Sequence, residues 1–539
     1  MKQGKALPLG LAALCGLALA ITLANRRPAG PPRLTVLIVV DQLRFDYLTR
    51  FQDLYEGGFR RLLDQGALFT EASYRHALTL TGPGHAAIAT GLHPSNTGIV
   101  GNDWYDGDRQ QTVNCIADSG YEPVGGPGRQ ASPRSLLADT LGDRLKLRYP
   151  QSRVVALSTK DRGAILMAGR KGDAAYWYSD DCACFITSSY YMKEAPEWLV
   201  SFNGPKPTDA FFSKPWERLL ADSSLYETRS RIDAFEGELD ITGTAFPHPV
   251  RTYRELRRSP YSDELLMQAA LAAMKSHGMG EDEAPDLLAL SFSSTDYVGH
   301  DYGPFSQESM DQHLRLDALL GRLLTALDNH VGLEHVTIAL TADHGVSPAV
   351  NHSKQQGVTA VFVPYSVLPN AVNAAVAKEY PKLGNVVAFF DRPHLFLDLF
   401  LLKDHNVPRS RIESLAKEAL FATGFIENVY THDDLLSGRP ANTEYGSLYA
   451  NAFFERRSPH LIVRFKKFYY IENGGEVAWH GSPYDYDRHV PVLFMGAGIR
   501  PGRYDQPTGP EDIAPTLASL LGAKMPPESD GRILSEVFP

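Results

Sequence analysis

The sequence predicts an α/β fold: a doubly wound, mostly parallel sheet with helices on both faces and inserted cap regions. Uninterrupted apolar runs rich in β-branched residues, such as 34–40 and 286–292, are typical of strands buried on both faces of a parallel sheet. Stretches with helical periodicity alternate with these runs, as in βαβ units. Polar residues follow each run directly, and a doubly wound sheet gathers such residues at one edge.

The individual elements can be assigned in order along the chain. Apolar runs predict core strands at 34–40, 68–69, 153–158, 286–292, 335–341 and 489–495, and alternation predicts strands at 460–465 and 468–471. Helical patterns predict helices at 54–66, 135–149, 263–277, 307–329, 410–423 and 511–521.

The same pattern predicts the domain organisation. A core built in three parts is expected at 33–172, 263–369 and 479–539. Between these parts the βα periodicity weakens, which predicts an insertion at 173–262 and an α+β cap insertion at 370–478. We expect both insertions to wall the pocket.

Composition excludes one class of partner. The 539 residues include 53 basic and 63 acidic side chains, a formal net charge of -10. No basic run or aromatic–basic stripe is present, so a nucleic-acid polymer is not expected as a partner. The chain is too long for one simple compact core, which agrees with a decorated α/β fold.

Residues 1–25 are predicted to be a signal peptide. Lys2 and Lys5 form a positive segment, 7–24 is apolar, and small residues follow at two points where cleavage can occur. We therefore expect export to the periplasm. An uncleaved membrane anchor is the alternative because the apolar run approaches the length of a span. A lipoprotein linked through Cys15 is disfavoured by the large Leu14 before it.

Three cysteines remain after cleavage: Cys115, Cys182 and Cys184. In an oxidising compartment one pair could form a disulfide and leave one free thiol. A Cys-x-Cys pair alone is too small for a zinc site, so these cysteines are interpreted as structural.

The segment around Thr81 is the first candidate for chemistry. Thr81 stands at a predicted helix start, Pro83 suits the first helical turn, and Gly82 and Gly84 allow a close approach of the backbone to a ligand. Free N–H groups and the positive end of the helix dipole suit a phosphate at this position. The alternative is that Thr81 is simply a helix cap.

Candidate metal ligands recur where predicted strands end. An Asp/His set suits zinc better than manganese or iron. Two ions roughly 4 Å apart are the arrangement that holds the attacking and leaving oxygens in phosphoryl transfer. For the last ligand we favour His480, which lies in a loop, over His489, which begins a strand. The candidate set is Asp41, Thr81, Asp296, His300, Asp343, His344 and His480.

Two cations and one amide complete the candidate site. Lys160 and Arg162 follow a predicted strand and are either an ordinary surface pair or a clamp for a dianion. Asn102 lies in an apolar, glycine-rich loop and is either a turn residue or a hydrogen-bond partner for a ligand oxygen.

Together these motifs resemble the alkaline phosphatase superfamily, most closely the phosphate-irrepressible type of bacterial periplasmic alkaline phosphatase. The resemblance spans essentially the whole mature chain. The motifs that carry it are Val40-Asp41-Gln42, Thr81-Gly82-Pro83-Gly84-His85, Asn102-Asp103-Trp104, Lys160-Asp161-Arg162-Gly163, Asp296 with His300, Asp343-His344-Gly345 and His480-Gly481-Ser482-Pro483.

The resemblance implies a role for each candidate. Thr81 would be the nucleophile, forming a phosphothreonine intermediate. Asn102, Lys160 and Arg162 would be catalytic residues that bind the phosphoryl oxygens of the substrate. Two Zn²⁺ per chain would be held by two ligand sets: Asp296, His300 and His480 for one ion; Asp41, Asp343, His344 and the Thr81 oxygen for the other.

The expected function is a zinc-dependent alkaline phosphatase of broad substrate range that hydrolyses small-molecule phosphate monoesters. We expect a monomer that has no membrane contact beyond the export segment. A nucleotide pyrophosphatase/phosphodiesterase is the alternative within the superfamily, which Lys160 and Arg162 disfavour because a diester lacks the extra charge they would bind. A sulfatase is disfavoured by Thr81, since that relative needs a modified Cys or Ser. The alternative from another class is a non-catalytic phosphate-binding envelope protein.

Overall fold

The computed structural model describes residues 30–230, 245–472 and 474–539. The predicted signal peptide, with Cys15, lies outside these residues. Among the helices of the described ranges, none is both long enough and apolar enough to cross a membrane.

A ten-stranded sheet forms the centre of the fold. Its five central strands pair in parallel, and the pairings toward both edges are mostly antiparallel. In order across the sheet the strands are Gly502–Tyr504, Ala67–Phe69, Val492–Gly496, Val336–Thr341, Leu34–Val40, Asp286–Phe292, Val154–Ser158, Ala174–Ser179, Cys184–Ser188 and Pro123–Val124.

The central strand Leu34–Val40 is buried on both faces, as its apolar sequence predicts. Alternate side chains enter two separate cores, and complete burial of one such side chain stabilises the fold by about 1.5–3 kcal/mol. The prediction of a doubly wound α/β sheet is confirmed. The main helices on one face are Phe45–Arg50, Gly58–Gln65, Tyr261–Ser276 and Gln307–His330; those on the other are Thr81–Thr90, Leu141–Arg148, Asp161–Ala168 and Ile513–Leu520.

The register of the central strands brings their carboxyl ends level. Val39 lies opposite Thr341 on one neighbouring strand and opposite Ser291 on the other. Ser291 in turn lies opposite Ser158. Residues that follow these four adjacent strands therefore lie at one edge of the sheet.

A second sheet lies in the range assigned to the cap. Its four strands pair antiparallel in the order Val387–Asp391, His394–Leu397, Leu461–Phe465 and Ile426–Thr431. The helices Val367–Glu379 and Arg409–Ala422 pack against it around a separate apolar core. Two-stranded sheets are formed by Val361–Val363 with Tyr469–Ile471 and by Asp103–Asp106 with Gln111–Asn114.

The remaining helical segments are short, apart from the nine-residue helix Ser294–Tyr302. The other α-helices are Pro94–Thr97, Glu197–Asn203, Ser224–Glu227, Tyr253–Arg257, Val350–Gln355, Leu399–Asp404, His432–Leu436, Gly446–Ala452 and Asp485–Arg488. The 3₁₀ turns are Pro133–Ser135, Pro207–Phe211, Leu333–His335, Arg439–Asn442, Pro510–Asp512 and Ser535–Val537.

The main sheet extends into the range 173–262, which the sequence analysis assigned to an insertion. Ala174–Ser179 pairs in parallel with a core strand, and Cys184–Ser188 follows it antiparallel. Their Tyr- and Trp-rich sequences conceal the β pattern. A disulfide joins Cys182 to Cys184 in the turn between these strands, and Cys115 is a buried free thiol.

Several element starts differ from the sequence prediction; the helix predicted from residue 54, for example, begins at Gly58. Two of the differences have a local reason. The helix predicted from residue 135 begins at Leu141, because Thr140 and Asp143 form a capping box there. The strand predicted from His489 begins at Val492, just after Pro491, which has no N–H to donate to the sheet.

Candidate active site

Four charged residues follow four adjacent strands at the carboxyl edge of the sheet. In sheet order they are Asp343, Asp41, Asp296 and Lys160. All four side chains are buried. Placing three carboxylates and one ammonium group in a buried space requires charge compensation, which is the electrostatic setting of a metal or phosphate site.

Asp41, Asp343 and His344 form the first candidate metal cluster. One ligand atom from each lies within 4.8 Å of the others. His344 Nε2 is 3.5 Å from Asp41 Oδ1 and 3.5 Å from Asp343 Oδ2. The buried Asp41 Oδ1 and His344 Nε2 have no hydrogen-bond partner among the described residues, and Asp343 Oδ2 has a ring nitrogen of His85 at 3.2 Å. Unpaired buried acceptors are costly, and a bound cation would satisfy Asp41 Oδ1 and His344 Nε2 at once.

Asp296, His300 and His480 form the second candidate cluster, with ligand atoms again within 4.8 Å of one another. Asp296 and His300 are one helical turn apart on the helix Ser294–Tyr302, and His300 Nε2 is 3.2 Å from Asp296 Oδ1. His480 comes from a distant loop, and its Nε2 is 3.7 Å from the same oxygen.

The three clustered histidines share one orientation. Nδ1 of His300 lies 2.9 Å from the Ala478 carbonyl oxygen, and Nδ1 of His344 and His480 is similarly close to a backbone carbonyl. A carbonyl oxygen only accepts, so Nδ1 carries a proton, and Nε2 faces the space that it shares with the carboxylate oxygens, where a proton or a metal ion would lie between them. This is how proteins orient imidazole for a metal. The donor sets, two Asp/His clusters of three ligands each, fit two ions of the zinc type.

The pKa shifts of the clustered side chains also indicate that positive charge is favoured at this site. Burial and the charge of Asp343 raise the pKa of Asp41 well above its usual range. Burial acts to raise the pKa of Asp296 too, but Lys160 and His300 hold it well below its usual range. Burial lowers the pKa of His300, yet Asp296 outweighs it and the pKa rises to about 9. A positive charge at His300 Nε2, from a proton or a metal ion, is therefore favoured.

Lys160 connects the two clusters. Its Nζ lies 2.6 Å from Asp41 Oδ2 and 2.6 Å from Asp296 Oδ2. The ammonium group also lies 5.2 Å from the ring centroid of Tyr297, within cation–π range. The side chain is therefore a buried cation at the centre of the site and not a surface charge.

Thr81 is the first residue of the helix Thr81–Thr90, after the extended Leu80, and its side chain is 2% exposed. The helix approaches the first metal cluster closely at Gly84. A Cβ atom on Gly84 would lie 2.3 Å from the Asp343 carbonyl oxygen, so only glycine fits there. This contact fixes the start of the helix beside the cluster.

Asn102, Lys160 and Arg162 line one open cleft. Asn102 Oδ1 accepts a hydrogen bond of 2.8 Å from the Gly82 N–H, which ties the loop to the helix start. Arg162 Nη1 is 3.8 Å from Asp161 Oδ1, while its buried Nε has no hydrogen-bond partner among the described residues. The guanidinium therefore keeps donor capacity for a ligand in the cleft.

The structure brings all the sequence-predicted site residues to this edge of the sheet. His489 joins neither cluster: its ring stacks on Phe45, and its Nε2 lies 2.9 Å from the Thr70 carbonyl oxygen. The loop residue His480 is the late histidine that joins a cluster.

Two residues that were not among the predicted site residues also contact the site; one of them, His85, was expected to have only a structural role. His85 Nδ1 lies 2.8 Å from the Thr81 carbonyl oxygen and 3.2 Å from Asp343 Oδ2. Gln42 donates from its backbone N–H to Asp343 Oδ1 and from Nε2 to Asp296 Oδ1. Both residues fall inside motifs quoted above, Val40-Asp41-Gln42 and Thr81-Gly82-Pro83-Gly84-His85, and that position was the only available signal.

Comparison with known proteins finds related phosphoric ester hydrolases. The family described as "Type I phosphodiesterase / nucleotide pyrophosphatase" matches residues 35–389. Alkaline phosphatase PafA of Elizabethkingia meningoseptica is 34% identical over 521 residues, 94% of each chain. Alkaline phosphatase PhoV of Synechococcus elongatus is 31% identical, covering 94% of this chain and 93% of PhoV. The crystal structure of wild-type PafA superposes with a TM-score of 0.89 over 95% of this chain.

Proposed function

The chain belongs to the type I phosphodiesterase / nucleotide pyrophosphatase family, within the alkaline phosphatase superfamily, and from this premise we propose that it is a zinc-dependent alkaline phosphatase. Membership makes it a phosphoric ester hydrolase. The observation that carries the finer proposal is the pair of Asp/His clusters joined by Lys160 at the sheet edge where the Thr81 helix begins.

The two clusters would each hold one Zn²⁺. Asp296, His300 and His480 would bind one ion, and Asp41, Asp343, His344 and the Thr81 hydroxyl oxygen the other. When bound, the pair supplies Lewis-acid stabilisation of negative charge on the attacking and leaving oxygens.

Thr81 is the proposed nucleophile. A bond forms between Thr81 Oγ1 and phosphorus as the bond from phosphorus to the ester oxygen breaks, so the alcohol leaves and phosphothreonine remains. Water then attacks phosphorus, the bond to Thr81 Oγ1 breaks, and inorganic phosphate is released. The positive end of the dipole at the start of the Thr81 helix stabilises the anionic group during both steps. The N–H groups that follow Thr81 are not free for this role, because the Gly82 N–H donates to Asn102 Oδ1, Pro83 has none and the Gly84 N–H donates to the Leu80 carbonyl oxygen.

Asn102, Lys160 and Arg162 are proposed to bind the non-bridging phosphoryl oxygens. Lys160 supplies a compact positive charge and Arg162 a planar set of donors. A monoester presents one more negative charge than a diester, so this cation pair favours monoesters. We propose small phosphate monoesters as substrates over a broad range, with a monomeric enzyme exported to the periplasm by residues 1–25.

The test is the ratio of kcat/KM for phenyl phosphate to that for a matched phenyl phosphodiester, with zinc present. We expect the wild type to prefer the monoester strongly, and Lys160→Ala/Arg162→Ala to lose most of that preference. Arg109→Ala is the matched control, because Arg109 is 69% exposed and pairs with Asp106 on the surface. Its ratio should equal that of the wild type.

Other outcomes lead to other functions. A wild type that prefers the diester is a phosphodiesterase, and the monoesterase proposal then fails. A zinc-loaded protein that turns over neither substrate, but binds inorganic phosphate, is a non-catalytic phosphate-binding protein.

A further inference from the structure

The aromatic ring of Tyr297 belongs to the wall of the open cleft, directly after the candidate metal ligand Asp296 in the chain. Tyr297 lines the same cleft as Lys160 and Arg162. It lies on the helix Ser294–Tyr302, and its side chain is partly exposed. The reaction steps proposed above assign it no role, although it is in contact with a residue that they use.

Three cations lie over the ring of Tyr297. Lys160 Nζ is 5.2 Å from the ring centroid, and the guanidinium carbons of Arg257 and Arg258 are 4.9 Å and 5.5 Å from it. At such distances the negative face of an aromatic ring attracts a cation. Each arginine also pairs with a carboxylate that belongs to neither candidate metal cluster.

Lys160 differs from the two arginines in its ionic partners. Its Nζ lies 2.6 Å from Asp41 Oδ2 and 2.6 Å from Asp296 Oδ2, and both carboxylates are candidate metal ligands. Tyr297 is not a candidate ligand, so its contact with the ammonium group does not compete with metal binding. The lysine side chain is 3% exposed, and a cation–π contact is stronger for such a desolvated cation.

We propose that Tyr297 is a positioning residue, whose ring holds the ammonium group of Lys160 where it binds a phosphoryl oxygen. The inference rests on the proposed function, in which Lys160 binds the phosphoryl oxygens of a monoester. Lysine has a flexible stem and more N–H donors than the two carboxylate oxygens use, so a donor remains for the substrate. The ring face fixes the position of that donor, and the hydroxyl group of Tyr297 takes no part.

The first experiment measures the ratio of kcat/KM for phenyl phosphate to that for the matched phenyl phosphodiester in the zinc-loaded enzyme. Tyr297→Leu removes the ring, and the ratio should fall by about tenfold, which is the order of a desolvated cation–π contact. Tyr297→Phe keeps the ring and should stay close to the wild-type ratio. A Phe variant that falls as far as the Leu variant would show that the hydroxyl group acts, and would overturn the proposal.

Tyr121→Leu is the matched control. Tyr121 is also partly exposed and has a cation over its ring, Arg134 at 5.0 Å, but it lies outside the cleft. Its substrate ratio should equal that of the wild type. Urea unfolding checks that Tyr297→Leu is folded, and Tyr297→Met replaces it in every measurement if it is not.

A double-mutant cycle separates positioning from a general structural effect. Because Tyr297 acts through Lys160, Tyr297→Leu should not lower the substrate ratio further in a Lys160→Ala background. A distorted cleft would instead lower the ratio by the same factor in both backgrounds, and that result would overturn the proposal.

The last measurement needs no turnover. Calorimetric titration of the zinc-loaded protein with inorganic phosphate should give a Kd about tenfold higher in Tyr297→Leu than in the wild type, and an unchanged Kd in Tyr121→Leu.

The two proposals fail in different ways. If the wild type hydrolyses phenyl phosphate but Tyr297→Leu keeps both the substrate ratio and the phosphate Kd, the positioning role is wrong and the phosphatase proposal stands. If the wild type binds phosphate without hydrolysing either ester, the phosphatase proposal is wrong, and the phosphate Kd alone decides the role of Tyr297. A wild type that neither hydrolyses the esters nor binds phosphate overturns both.

Discussion

The imidazole rings of His344 and His480 are stacked, with their centroids 3.6 Å apart and their planes inclined by 13°. His344 belongs to the first candidate metal cluster and His480 to the second. The stacked pair therefore forms a shared wall between the clusters. His344 follows a core strand, whereas His480 lies in a loop 136 positions later in the sequence.

The first prediction concerns the last metal ligand. We expect His480→Ala to bind one Zn²⁺ per chain where the wild type binds two, because the second cluster loses one of three protein ligands. Activity should fall by at least 100-fold. Elemental analysis of protein dialysed against buffer with limiting zinc measures the count.

His489→Ala provides the control for this prediction. His489 was the runner-up from sequence, and its side chain contacts Thr70 and Phe45 away from both clusters. We expect this variant to keep two Zn²⁺ and lose only stability. A loss of zinc in His489→Ala with two ions retained in His480→Ala would contradict the assignment.

Much of the site follows from the sequence because parallel strands end at one edge. Apolar runs locate the strands, and the residues that follow them, such as Asp41 and Asp343, are then brought together by topology alone. The choice of His480 over His489 rested on the expectation that a loop residue fits that edge better than one that begins a strand. The choice was right but the reason was not, because the strand Val492–Gly496 is antiparallel and its start, Val492, lies opposite Thr341 at the same edge.

Other contacts in the site join residues that are far apart in the sequence, so no local sequence pattern predicts them. The two partners of Gln42 lie 301 and 254 positions along the chain, and one ring nitrogen of His85 meets a serine 206 positions away. Lys160 had a surface pair as its alternative because lysine is normally exposed. Only the register of four strands places its ammonium group between two buried carboxylates.

The second prediction concerns Gly84. In Gly84→Ala the new methyl group would lie 2.3 Å from the Asp343 carbonyl oxygen, so the helix or the loop that carries Asp343 must shift. We expect a loss of about 1–3 kcal/mol in the free energy of unfolding and weaker zinc binding. Gly107→Ala is the control, since no atom lies within 4 Å of its added methyl group. Equal urea midpoints for the two variants would refute the close contact.

The third prediction concerns His85, which holds Asp343 and the start of the Thr81 helix. His85→Phe leaves the Thr81 carbonyl oxygen and the Ser291 hydroxyl without this partner. We expect a cost of about 1–3 kcal/mol in unfolding free energy and a loss of roughly 10–100-fold in zinc affinity. Calorimetric zinc titration and urea unfolding measure the two effects.

His76→Phe is the matched control for this variant. His76 is equally buried, but neither ring nitrogen has a hydrogen-bond partner among the described residues, and burial keeps its pKa well below the usual range. A phenyl ring there removes no hydrogen bond, so stability should stay within about 1 kcal/mol of the wild type. Equal zinc affinities in His76→Phe and His85→Phe would show that His85 does not contribute to zinc binding.

The last prediction concerns the pH dependence contributed by Asp263, which supports the helix carrying Asp296 and His300. Asp263 Oδ1 accepts from the Ser294 backbone N–H, and Oδ2 accepts from Gln312 Nε2. Burial raises the pKa of Asp263 to about 6 from an ordinary value of 3.8, although these hydrogen bonds oppose the shift.

Because the folded pKa is the higher one, the folded state binds the proton more tightly than the unfolded chain. The associated stability is fully present below about pH 4 and is lost as the pH rises through 6. A shift of this size corresponds to about 3 kcal/mol. Asp263→Asn cannot ionise, and its amide can pair with Gln312 Oε1, which has no partner among the described residues. Between pH 4 and pH 7, the difference in urea-unfolding free energy between wild type and variant should therefore shift in favour of the variant by about 2 kcal/mol. A constant difference would show that Asp263 titrates normally.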